Sequence, residues 1–67
     1  MEVRLQSIEM PECIHRIRRV EAVTAYVNEE GVLVHRLHLP GDCRTLDYPA
    51  DDWYMTISGV LSRREDI

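Results

Sequence analysis

The chain has 67 residues, no Phe and no Lys, and a formal net charge of −4 from twelve Asp and Glu against eight Arg. That length supports one domain spanning 1–67, near the lower limit at which a single core offsets the loss of chain entropy. The absence of Lys excludes a Schiff base, a phosphate-loop lysine and a lysine general base, and the acidic balance disfavours non-specific binding to phosphate.

Residues 2–9 open the chain with Val3, Leu5 and Ser7 alternating against Glu2, Arg4 and Gln6, the period of a half-buried strand. Pro11 interrupts it. Proline suits the first position of a helix, and Cys13, Ile14 and Ile17 fall at helical spacing, so a short helix is predicted over 11–19. Its rival is a strand from Ile14 to Val27, which the β-branched residues favour.

Val20 to Leu39 carries the clearest local signal: two apolar, β-branched runs separated by Asn28-Glu29-Glu30-Gly31. This pattern predicts a β-hairpin, in which the Asn28 side chain closes the turn and Gly31 takes the positive φ that ends it with a bulge. Leu33, His35, Leu37 and Leu39 would share one face of the second strand, with Val34, Arg36 and His38 on the other.

Pro40-Gly41-Asp42 ends that strand. Asp51 and Asp52 precede, and Arg63 and Arg64 follow, a stripe formed by Trp53, Ile57, Val60 and Leu61, which together predict a final helix over 50–62. Thr56, Ile57 and Gly59 oppose that helix, and Met55, Ile57 and Leu61 could alternate along a strand instead. The expected fold is therefore a small α+β domain, approximately β-α-β-β-α around a central hairpin, with an all-β fold as the alternative.

Three sets of residues bear on chemistry. Tyr48, Asp51, Asp52, Trp53 and Tyr54 combine large aromatic contact area with carboxylates, a composition that suits docking against a basic protein surface. The competing role for Trp53 is to fill the core of a domain that has no Phe.

Cys13, His15, His35, His38 and Cys43 are ligand types for zinc or copper. Their spacing opposes one shared ion: there is no close C-x2-C pair, and residues three apart on a strand, such as His35 and His38, point to opposite faces. Arg16, Arg18 and Arg19 form a small basic cluster that could touch nucleic acid or pair with surface acids.

No nucleophile elbow surrounds Ser7, Ser58 or Ser62, and Gly31, Gly41 and Gly59 lie too far apart for a phosphate loop. The sequence thus predicts a non-catalytic interaction module without a cofactor, such as a stoichiometric regulator or inhibitor of a larger, basic-surfaced protein complex. Zinc or copper binding and nucleic-acid binding are the alternatives. The scarcity of large apolar anchors adds an expected homo-oligomer. No apolar stretch reaches the ~20 residues that span a bilayer, and no charged segment followed by an apolar run opens the chain, so the cytoplasm is the expected setting, without a membrane partner.

Overall fold

The computed structural model describes residues 1–41 and 44–58. Six strands follow one another: β1 (Glu2–Ser7), β2 (Ile14–Ile17), β3 (Ala22–Val27), β4 (Leu33–His38), β5 (Thr45–Pro49) and β6 (Trp53–Ser58). They form two three-stranded sheets, β2-β1-β6 and β3-β4-β5, in which every pairing is antiparallel. Among the described residues there is no helix, so the α+β arrangement is corrected to all-β.

Both predicted helices fail for one reason. β1 is a central strand whose backbone groups need partners on both sides, and Ile14–Ile17 and Trp53–Ser58 supply them. The β-branched Ile14, Ile17, Thr56 and Ile57 suit that extended backbone, and the weak helical spacing does not outweigh it. Over 11–19 the chain makes a turn, closed by the Cys13 amide on the Met10 carbonyl, and then only the short β2. The predicted helix over 50–62 is replaced by a turn at 50–52 and by β6; its last part, 59–62, lies outside the described residues.

The first strand, which ends at Ser7 and not at residue 9 as expected, and the hairpin form as their patterns require. Val3 and Leu5 of β1 point inward and are fully buried. In the hairpin, the Gly31 amide donates to the Asn28 carbonyl, while Asn28 Oδ1 accepts from the amides of Glu30 and Val32. Gly31 has φ of 82°, a conformation that a side chain disfavours, so this turn depends on glycine.

The two sheets share one core. Val3, Leu5, Val20 and Leu37 form the buried centre, and Ile17, Val23, Leu39, Leu46, Tyr48, Trp53, Met55 and Ile57 pack around it. Burying each central side chain contributes about 2 kcal/mol, a small total for a whole domain. Trp53, Met55 and Ile57 lie on the inward face of β6, opposite Ser7, Leu5 and Val3. Neighbouring strands within each sheet run in opposite directions, and the turns at 8–13, 28–32 and 50–52 gather at one end, with residues 18–21, 39–41 and 44 at the other. Hydrogen bonds from the Ile8 amide to the Asp52 carbonyl and from the Ala50 amide to the Leu33 carbonyl tie the first end together.

Candidate functional site

The five residues of the acidic-aromatic segment divide by direction. Tyr48 on β5 and Trp53 on β6 turn inward and are half-buried against the core. With His15 on β2 they make an aromatic corner joining the two sheets. Tyr48 and Trp53 meet edge to face at 5.2 Å between centroids, His15 lies 4.8 Å from Trp53, and the Tyr48 hydroxyl is 3.1 Å from His15 Nδ1. Rings this close fill one another's space, so the corner is packing and not an open cage for a cation. Burial pushes the Tyr48 hydroxyl pKa above its ordinary value.

Asp51, Asp52 and Tyr54 turn outward, and Tyr54 is 65 % exposed. The strand order places further residues beside them that sequence spacing does not connect. Ile8 and Met10 stand exposed in the turn after β1, and Val27 and Leu33 flank the hairpin turn, with Val27 64 % exposed. The same three turns carry Glu9, Glu12, Glu29 and Glu30, all exposed. This end of the molecule therefore presents six carboxylates around apolar side chains, and no basic residue lies in the three turns. The signal that could have found it is the alternation of antiparallel strands, which puts every second turn at the same end.

The opposite end holds Arg18, Arg19 and Arg44, each exposed. Arg16 sits on the outer face of its sheet directly opposite Arg4, whose Nε has no hydrogen-bond partner among the described residues. Like charges in that position oppose pairing of β1 with β2.

The outer face of the other sheet is knit together. Arg36 Nε and Nη2 donate to Asp47 Oδ1 and Oδ2 at 2.8 and 3.0 Å, and the Tyr26 hydroxyl donates to Asp47 Oδ2 at 2.8 Å. The Arg36 guanidinium also stacks 4.6 Å from the Tyr26 ring centre. The two bonds from Arg36 hold the Asp47 carboxyl below the usual carboxylate range, and the hydrogen bond to Asp47 raises the Tyr26 hydroxyl pKa. Thr24 Oγ1 lies 2.8 Å from His38 Nε2 on the same face.

The candidate metal ligands are spread across the molecule. Cys13 is half-buried in the turn before β2, His15 belongs to the aromatic corner, and His35 lies on the inward face of β4 opposite Tyr48. His38 occupies the outward face, bonded to Thr24, and Cys43 lies outside the described residues. Among the described residues no three Cys, His, Asp or Glu side chains gather in a way that could hold a metal ion. The described residues likewise contain no helix long and apolar enough to cross a membrane. Compared with known proteins, the chain matches no family model, no curated protein and no solved structure at a significant level.

Proposed function

We propose that this chain is a small, non-catalytic interaction module of the cytoplasm that docks another protein through its acidic end. The observation that carries the reading is the convergence of Tyr54, Ile8 and Met10 with six carboxylates on three neighbouring turns. Exposed aromatic and aliphatic side chains supply contact energy at the centre of an interface, and a surrounding ring of one charge sign selects a partner of the other. The partner is thus a protein with a basic surface around an apolar patch. Stoichiometric occupation of such a surface is a means of regulating or inhibiting a larger complex.

Tyr54 is the better probe of this reading than Trp53, because Trp53 also supports the core. The test is capture from an extract of the native host with wild type, the triple variant Asp51→Asn/Asp52→Asn/Tyr54→Ala, and Arg44→Ala as a control at the opposite end. A protein retained by wild type and Arg44→Ala, released by added salt and lost with the triple variant is the expected result. Equal capture by a folded triple variant would overturn the assignment of the site.

A further inference from the structure

We infer that β3 is a self-association strand, and that two copies of this chain pair antiparallel along it to make one continuous six-stranded sheet. β3 reads AVTAYV, with neither charge nor proline, and five of its six residues are exposed. Only Val23 among them packs against the core; Ala25 and Val27 share its face but stay exposed. Both faces of the strand are therefore largely open, and among the described residues no strand pairs with its edge away from β4. Soluble proteins block such edges with charges, prolines or bulges, because unpaired backbone groups are a template for another strand.

The remaining edge strands differ in that respect. β2 has four residues and carries Arg16, β5 carries Asp47 and Pro49, and β6 turns every second side chain inward. β3 combines length, neutrality and exposure.

The hydrogen-bond alternation says which groups are available. Asn28 donates its amide to the Val32 carbonyl, so Asn28 and every second residue before it, Tyr26 and Thr24, face β4. The amides and carbonyls of Val23, Ala25 and Val27 consequently point to the open edge.

Charge selects the occupant and its direction. The β3 strand runs from a connection holding Arg18, Arg19 and a single acid, Glu21, at one end of the molecule to Glu29 and Glu30 at the other. A second copy laid antiparallel sets each arginine pair beside the partner's glutamates, twice by symmetry, whereas a parallel copy sets like charges together. The register centred on Thr24 satisfies the outward groups, aligning Ala25 with Val23 of the second copy and Arg19 with Glu29. Centring on Ala25 would instead oppose Glu21 to Glu29. The Thr24-centred dimer engages Glu29 and Glu30, two of the six carboxylates at the acidic end, and leaves Asp51, Asp52 and Tyr54 at the turn between β5 and β6 outside the paired strand.

Sedimentation equilibrium of the full chain from roughly 10 to 300 µM tests the inference, since weak edge pairing falls in that range. Wild type is expected to approach twice the chain mass. Ala25→Pro removes only an outward amide and is expected to remain monomeric with unchanged strand signal in circular dichroism. Should that variant fail to fold, Ala25→Lys at the same exposed position keeps the test intact and is likewise expected to be monomeric. Arg18→Glu/Arg19→Glu should raise the dissociation constant about tenfold or more, and adding Glu29→Arg/Glu30→Arg should restore it. A monomeric wild type at the highest concentration would overturn the inference, as would a dimer that survives Ala25→Lys or a charge swap that restores nothing.

Discussion

β1 and β3 are both six-residue strands, and the more apolar of the two is the exposed one. β1, EVRLQS, has two hydrophobic residues, and both are fully buried. β3, AVTAYV, has five, yet only Val23 packs against the core. The difference is position in the sheet. β1 is flanked by β2 and β6 and faced by the second sheet, whereas among the described residues β3 has β4 on one side only. Burial here follows the number of neighbouring strands more closely than side-chain hydropathy.

The sharpest way to break that comparison is truncation of one residue from each strand. Leu5→Ala should destabilise by about 3 kcal/mol, because the cavity forms between two sheets with no exposed wall to collapse. In so small a domain that loss approaches the whole stability, and urea denaturation should show partial unfolding before denaturant is added. Val27→Ala should change the urea midpoint by no more than about 0.5 kcal/mol in free energy. Equal losses at the two positions would show that β3 is covered in solution, which dimerisation would itself produce, so the pair is measured at low and high protein concentration.

A middle-sized effect should come from the hairpin turn that sets the register of β3 on β4. Gly31→Ala places a side chain at φ of 82° and should cost about 1 kcal/mol in thermal or urea unfolding. Asn28→Ala removes the acceptor of two hydrogen bonds from backbone amides and should cost a similar amount, about 1 kcal/mol. If either left stability unchanged, the turn would not be what holds β3 in place.

The smallest effect is electrostatic. Asp47 has its folded pKa lowered by Arg36, so its contribution is present above the carboxyl's unfolded pKa and is lost as pH falls through the lower folded value. Stability should decline modestly below about pH 4, and Asp47→Asn should reduce that part of the decline. The pair is solvent-exposed and salt-screened, which keeps the effect small. Tyr26 has the opposite sign: its raised pKa favours the protonated hydroxyl, so its contribution is present below the unfolded tyrosine pKa and fades as pH climbs through the folded one.

Legibility in the sequence followed the range of the interaction. Val3, Leu5 and the 28–31 turn were readable because alternation and turn chemistry act over a few residues. Ile14 to Ile17 and Trp53 to Ser58 were misread as parts of helices because their local spacing is ambiguous, and the deciding partner, β1, lies distant from Trp53 in the chain. The candidate site was half legible. Asp51, Asp52 and Tyr54 stand out as a local composition, but Ile8, Met10, Glu29 and Glu30 join them only through strand order.

By itself, then, the sequence determined the alternating faces of the first strand, the hairpin from Val20 to Leu39 and the charge types each turn would carry. Those properties come from stereochemistry and hydropathy within a strand or a four-residue turn. Only the tertiary structure decided that the fold is all-β, that Trp53 faces the core while Tyr54 faces solvent, and that three turns carrying acids and no basic residue lie at one end. Those outcomes depend on which strands become neighbours, and backbone hydrogen bonding across long sequence separations makes that choice.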